Sequence, residues 1–153
     1  MFPHLVDKAV EFAFDHHFGQ TDKAGANYIF HPKAVAKFVE EMGYGDEYVT
    51  VAWLHDVVED CDVTVDEIRE IFGDCIADAV DAVTKRKSGN EKYADYMARV
   101  KANPIATVVK LCDYKHNMDL SRLKEVDEVA ISRYEKYAKN SARLWKHKLK
   151  MGW

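Results

Sequence analysis

Near the middle of the chain, residues 53–60 have the sequence Trp53-Leu54-His55-Asp56-Val57-Val58-Glu59-Asp60. The apolar residues of this stretch place it against the core, yet half of its side chains are ionisable. Side chains three or four positions apart lie on the same side of a helix. The four ionisable groups are therefore expected on one side of a helix end, where a divalent cation would compensate their buried charge.

On both sides of this stretch, the apolar residues recur at helical spacing, which predicts an all-α helical bundle. Asp46 is a candidate N-cap, Thr64-x-x-Glu67 forms a capping box, and Pro32 and Pro104 are typical of a first helical turn. The predicted helices cover about 4–17, 32–43, 47–58, 64–73, 75–85, 93–103, a segment from 104, and 126–149.

Length and composition restrict the class of protein. With 153 residues, of which 48% are hydrophobic and 31% charged, residues 1–153 are expected to form a single soluble domain. The net charge of −4 without a long basic block argues against a nucleic acid polymer as partner. The sequence has no apolar run long enough to cross a membrane and no leader-like N-terminus, which predicts a cytoplasmic protein with reduced cysteines.

Two further motifs, elsewhere in the chain, supply additional candidate ligands. His31 precedes Pro32 at a predicted helix start, and Asp113 lies inside the largely apolar run 108–113. Two imidazoles and two carboxylates suit Mn²⁺ first, with Fe²⁺ or Mg²⁺ as alternatives. The candidate metal ligands are His31, His55, Asp56 and Asp113. An ion held by four ligands would keep positions open for a water and a phosphate oxygen, which is an arrangement for hydrolysis.

Taken alone, each of these signals has a simpler interpretation. An adjacent His-Asp pair can cap a turn, and Glu59 and Asp60 can form a solvated acidic helix end. In the presence of a metal, the same two carboxylates could accept a proton from the attacking water.

The motifs in their order resemble the HD hydrolase domain of RelA/SpoT-type proteins. They are His31-Pro32, then His55-Asp56-x-x-Glu59-Asp60, then Lys110-Leu111-x-Asp113-x-x-His116-Asn117-Met118, and the resemblance extends over about 12–123. In size, the chain is similar to the stand-alone small alarmone hydrolases, the metazoan SpoT homologues. The resemblance implies a helical bundle with one Mn²⁺ that removes the 3′ pyrophosphate from guanosine tetra- or pentaphosphate.

The same resemblance implies roles for individual residues. The four candidate ligands match the family's metal ligands, and Glu59 and Asp60 match its catalytic acidic pair. Lys23 matches a basic residue that meets the substrate, and Asn117 matches a residue that contacts its sugar or phosphates.

The chain departs from the family pattern at four positions. Asp22 stands where an arginine is usual, and a carboxylate cannot stack on a base as a guanidinium does. Asn27 replaces a proline, Tyr114 an arginine, and Leu120 a hydroxyl residue. These departures leave open an HD nucleotidase or phosphodiesterase for another nucleotide, a non-catalytic nucleotide binder, or a scaffold without metal.

Several other residues have more than one interpretation. His16 is expected to face solvent, whereas His17 and His116 are expected to hydrogen-bond behind the site. Tyr28 fits either a nucleoside contact or an anchor for its loop. The aromatic residues of the last helix fit either the core or the surface of a homo-oligomer.

Overall fold

The computed structural model describes residues 4–87 and 89–153. In these residues, the chain forms helices and one isolated bridge between Thr21 and Asn27, so the all-α prediction is confirmed. The helices are α1 (Leu5–His17), α2 (Phe30–Glu41), α3 (Asp46–Leu54), α4 (Val57–Asp60), α5 (Val65–Phe72), α6 (Asp74–Val83), α7 (Tyr93–Lys101), α8 (Pro104–Asn117) and α9 (Glu128–Met151). A 3₁₀ turn covers Leu120–Arg122.

Local sequence explains where two of these helices begin. The Thr64 hydroxyl accepts the Glu67 backbone N–H at 3.2 Å, and the Glu67 carboxylate accepts the Thr64 N–H at 3.0 Å. Before α8, the Asn103 side chain accepts the Ala106 N–H at 3.0 Å, and Pro104 is the first helical residue. At both helix N-termini, a side chain therefore accepts a backbone N–H that the helix itself leaves without a partner.

The single helix predicted over 47–58 is wrong, because the chain turns at His55 and Asp56 between α3 and α4. The His55 Nδ1 lies 2.6 Å from the Ala52 carbonyl oxygen. In a continuing helix, that oxygen accepts the Asp56 N–H, and a side chain that bonds to it offers the backbone an alternative to the helix. The break places His55 and Asp56 in the turn and Glu59 and Asp60 on α4.

Two clusters of buried residues form the core, and α8 contributes to both. Val108 and Cys112 face the cluster built by α1, α2, α3, α5 and α6, whereas Leu111 and Tyr114 face the cluster with α7 and α9. Because α8 is covered on two sides, its carboxylate Asp113 is only 7% exposed. The central helix therefore carries a charged group into the interior.

The last helix packs on this core through Leu144, which is fully buried. Other apolar side chains of α9, including Val129 and Ile131, are exposed. None of the described helices combines the length and apolar character needed to span a membrane.

Candidate metal centre and its two cavities

Four side chains from three separate parts of the chain meet at one point in the structure. His31 comes from the first turn of α2, His55 and Asp56 from the turn between α3 and α4, and Asp113 from α8. One ligand atom from each of them lies within 4.8 Å of the other three. The structure thus brings together all four residues that the sequence indicates as metal ligands.

The spacing of these atoms fits a single ion. The His31 Nε2 lies 2.8 Å from the Asp113 Oδ1 and 3.2 Å from the His55 Nε2, and the His55 Nε2 lies 3.1 Å from the Asp56 Oδ2. Adjacent ligands of an octahedral ion at about 2.1 Å are separated by about 3 Å. The donor set is also appropriate, since two imidazole nitrogens and two carboxylate oxygens bind borderline divalent ions.

A surrounding layer of hydrogen bonds orients the ligand atoms. The His55 Nδ1–H donates to the Ala52 carbonyl, which leaves the Nε2 lone pair facing the centre. The His31 Nδ1 lies 2.7 Å from the Nδ1 of His116. Burial and the neighbouring His31 lower the pKa of His116 to about 4, so His116 is neutral at pH 7 and can accept the His31 proton.

Two more side chains hold the carboxylates. The Tyr28 hydroxyl donates to the Asp56 Oδ2, and the Asn117 amide donates to the Asp113 Oδ1 at 3.0 Å. The sequence left the role of Tyr28 open between a substrate contact and a loop anchor. Its hydroxyl holds the carboxylate of Asp56, and its side chain also borders the larger of two cavities described below.

Lys110 is part of the third sequence motif, but no role was predicted for it. Its Nζ lies 2.9 Å from the Asp113 Oδ2, and its side chain is 12% exposed. Although burial opposes ionisation, the Lys110 ammonium and His31 hold the pKa of Asp113 well below its usual range. The available signal was a lysine one helical turn before Asp113 in an apolar run.

The acidic pair lies on α4, next to the ligands. The Glu59 Oε1 accepts the Lys85 backbone N–H at 2.8 Å. Burial, followed by the charges of Asp56 and Asp60, raises the pKa of Glu59. Burial and the charge of Asp56 likewise raise the pKa of Asp60. The Asp60 Oδ2 accepts a hydrogen bond from the Gln20 side-chain amide at 3.4 Å. A carboxylate with a raised pKa is suited to accept a proton near neutral pH.

Two cavities adjoin this centre, and Glu59 borders both. The larger one, called the cleft, has a volume of about 470 Å³, and its walls include Gln20, Lys23, Asn117, Arg122, Arg133 and Tyr137. The smaller one, called the chamber, has a volume of about 160 Å³, and its walls include Lys85, Tyr93, Tyr96, Lys110, Lys136 and Tyr137. His55 borders the chamber and Asp60 the cleft. The four groups expected on one side of a single helix end are instead divided between the turn, which carries His55 and Asp56, and α4, which carries Glu59 and Asp60.

The position at which the family pattern has an arginine is occupied by a structural carboxylate. The Asp22 Oδ1 accepts the N–H groups of Ala24 and Ala26, each at 2.9 Å, and its Oδ2 lies 3.4 Å from the Arg122 guanidinium. Asp22 thus shapes the loop that carries Lys23, an exposed residue at the cleft.

The other departures lie in different surroundings. Tyr114 is fully buried and hydrogen-bonds Tyr93, so it lies behind the chamber and not in the cleft. Leu120 borders the cleft, and Asn27 belongs to the bridge with Thr21. His16 is exposed, as predicted, and His17 is buried with its Nδ1 2.8 Å from the Gln20 Oε1.

Comparison with known proteins gives a consistent family. A family model described as the HD domain matches residues 9–113. A probable guanosine-3′,5′-bis(diphosphate) 3′-pyrophosphohydrolase of Synechocystis is 39% identical over 126 residues, which cover 76% of this chain and 17% of the relative. The Vibrio cholerae guanosine-3′,5′-bis(diphosphate) 3′-pyrophosphohydrolase is 37% identical over 150 residues, covering 90% of this chain and 21% of the relative. The chain spans about a fifth of the length of these two curated relatives.

A solved structure agrees with the fold. A metazoan ortholog of SpoT, which hydrolyzes ppGpp and plays a role in starvation responses, superposes with a TM-score of 0.78. The match covers 94% of this chain and 87% of the other at 23% identity. This likeness supports the arrangement of the helices.

Proposed function

Because the chain belongs to the HD-domain family, we propose that it is a divalent-metal-dependent phosphohydrolase acting on a nucleotide, most like a guanosine-3′,5′-bis(diphosphate) 3′-pyrophosphohydrolase. The observation that carries this proposal is the meeting of His31, His55, Asp56 and Asp113. His31 borders the cleft, the other three border the chamber, and Glu59 borders both cavities. The names of the relatives support the choice of substrate.

The four candidate ligands would hold the ion, for which Mn²⁺ is the first choice and Fe²⁺ and Mg²⁺ are alternatives. When bound, a divalent ion supplies Lewis-acid polarisation of a phosphoryl oxygen and lowers the pKa of the attacking water. Tyr28, His116 and Asn117 keep the ligand atoms in place for it. Side chains in such positions support affinity without touching the ion.

In this proposal, the chain's own acidic pair handles the protons. Water attacks the phosphorus attached to the nucleoside 3′ oxygen, and the bond between that phosphorus and the 3′ oxygen breaks. Glu59, which is half-buried and has a raised pKa, accepts the proton of the water. Asp60 at the cleft assists this transfer. The accepted proton then passes to the 3′ oxygen, which leaves as a hydroxyl group while pyrophosphate is released.

Lys23 and Asn117 are proposed to bind the substrate, since both border the cleft. Asn117 does so while its amide also holds Asp113. A small nucleotide suits a cavity of about 470 Å³ better than a nucleic acid polymer, whose binding would also require a positively charged surface that a net charge of −4 does not favour. A cytoplasmic location and a homo-oligomer built on α9 stay predictions.

The test is hydrolysis of a nucleotide panel by chelator-stripped protein, with and without added Mn²⁺, with products separated by chromatography. The expected result is Mn²⁺-dependent release of pyrophosphate from guanosine tetraphosphate. Cleavage of other nucleotides alone would keep the metal mechanism and favour a nucleotidase or phosphodiesterase. Metal-dependent nucleotide binding without turnover would refute the enzyme proposal, as would failure of the protein to take up a stoichiometric ion.

A further inference from the structure

We propose that Lys85, Lys110 and Lys136 form a subsite in the chamber for the outer phosphate of the substrate's pyrophosphoryl group. This inference rests on the proposed function, because it assigns a second phosphate-binding position beside the same centre. The three residues come from different elements: Lys85 follows α6, Lys110 lies in α8 and Lys136 lies in α9. Tertiary packing alone brings their ammonium groups to one cavity.

The charges of these lysines are compensated unequally. Lys110 pairs with Asp113, whereas Lys85 and Lys136 form no ion pair with any residue in 4–87 or 89–153. Burial, then the charge of Lys110, lowers the pKa of Lys85, and Lys136 contributes in the same direction although Glu59 opposes it. The chamber walls hold these three lysines together with the carboxylates of Asp56, Glu59 and Asp113. Asp56 and Asp113 belong to the candidate metal centre, so with a divalent ion bound there the positive charge at the chamber would exceed the negative charge and would attract an anion.

Aromatic rings hold the lysines in place. The Lys85 Nζ lies 5.2 Å from the centre of the Tyr93 ring, and the Lys136 Nζ lies 5.1 Å from the same ring. The Lys110 Nζ lies 4.8 Å from the centre of the Tyr114 ring. Cations within about 6 Å of an aromatic face are attracted to it. Tyr93 therefore positions two flexible side chains on one side of the chamber, and Tyr114 supports the third.

The position of the chamber identifies the phosphate. Its walls include His55, Asp56 and Asp113, so it lies directly against the candidate metal centre, and Glu59 separates it from the cleft. With the nucleoside in the cleft and the attacked phosphorus at the centre, the next phosphate outward extends into the chamber. The chamber volume of about 160 Å³ is several times the roughly 30 Å³ that one water molecule occupies in the liquid.

A functional consequence follows from this placement. A substrate with a 3′ pyrophosphoryl group would fill the chamber, whereas a 3′ monophosphate would leave the lysines without an anion. The three lysines would therefore make the enzyme prefer pyrophosphoryl over monophosphoryl groups. Charge-assisted hydrogen bonds of this kind are roughly twice as strong as neutral ones.

The first test measures binding without metal or turnover. Inorganic phosphate is titrated into chelator-stripped protein at low ionic strength and followed by phosphorus NMR. Lys85→Gln and Lys136→Gln are each expected to weaken phosphate binding about tenfold. Lys139→Gln is the matched control, because Lys139, like Lys136, is an exposed lysine of α9 but borders neither cavity; this variant should bind phosphate as wild type does.

The second test compares kcat/KM of the Mn²⁺-loaded protein for guanosine nucleotides that carry a 3′ pyrophosphate or a 3′ monophosphate. The preference for pyrophosphate should fall about tenfold in Lys85→Gln and Lys136→Gln and stay unchanged in Lys139→Gln. Equal phosphate affinity in all four proteins, or an unchanged preference, would overturn the inference. Lysine-dependent phosphate binding in a protein that hydrolyses no nucleotide would refute the proposed function while supporting the anion subsite.

Discussion

Replacing Asp113 by asparagine should destabilise the metal-free protein far more than the same change at a surface ion pair. The Asp113 carboxylate lies 2.9 Å from the Lys110 Nζ, and their side chains are 10% and 12% exposed. Asp113 also contacts His31 at 2.8 Å. The asparagine side chain has nearly the same shape but no charge, so the substitution leaves the Lys110 ammonium buried without its counter-ion.

The size of the effect follows from this burial. Breaking a buried ion pair by removing one partner costs roughly 3–5 kcal/mol. Because the asparagine oxygen can still accept a hydrogen bond from Lys110, we expect the lower end, about 3 kcal/mol. For a chain of this length, each kcal/mol changes Tm by about 2–4 °C, so the predicted loss is about 6–12 °C.

The chain offers a matched control in Asp78→Asn. The Asp78 carboxylate also lies 2.9 Å from its partner, Arg69, but the two side chains are 61% and 37% exposed. An exposed pair is worth about 0.2–1 kcal/mol, which corresponds to a Tm loss of no more than about 4 °C. Thermal unfolding of both variants, followed by circular dichroism in chelator, makes the comparison. Equal losses in the two variants would refute the reasoning that burial determines the cost.

Four further predictions follow. Glu59→Gln should lower kcat by about 10²–10⁴-fold while elemental analysis finds metal bound as in wild type. Because burial raises the pKa of Glu59, kcat should be lost as the pH falls through a value above the ordinary pKa of about 4.3. The folded-state pKa of Asp113 is depressed, so its stabilisation of the metal-free protein should be present above the ordinary aspartate pKa of about 4 and be lost progressively as the pH falls from there towards the lower folded-state pKa. Thr64→Ala should cost about 1 kcal/mol in denaturant unfolding through loss of the capping box.

Each of these four predictions has a result that would contradict it. Full activity in Glu59→Gln would remove Glu59 from proton transfer, and an acid limb at the ordinary glutamate pKa would contradict its raised pKa. Acid sensitivity equal in Asp113→Asn and wild type would show that Asp113 contributes nothing to it. Unchanged unfolding of Thr64→Ala would mean that the cap adds no stability.

The ligand set shows how far a linear sequence can lead. His31, His55 and Asp113 lie in three separate motifs, and each side chain is conspicuous because it interrupts or borders an apolar run. Buried charge indicated His55 and Asp113, and the position of His31 before Pro32 at a helix start added the third residue. The break between α3 and α4 was not predicted, because it depends on the His55 ring bonding to a backbone carbonyl, which competes with helical hydrogen bonding.

The departures from the family pattern show the opposite limit. Asp22 was interpreted as a carboxylate that cannot stack on a base as a guanidinium does. In the fold it borders the cleft, and its carboxylate also shapes the loop and lies beside Arg122. Tyr114 was considered as a possible change at the substrate, yet it is buried behind the chamber. The residue type at a motif position therefore does not reveal which groups surround its side chain in the fold.

The sequence by itself determined the all-α class and the cap at Thr64, because helical periodicity and capping are properties of neighbouring residues. Its assignment of His31, His55, Asp56 and Asp113 as metal ligands stays a prediction. Only the tertiary structure decided that Glu59 lies between two cavities and that Lys85, Lys110 and Lys136 share one of them. Those three lysines are separated by 25 and 26 positions. Contacts over such distances arise from the packing of α6, α8 and α9, which no local pattern encodes.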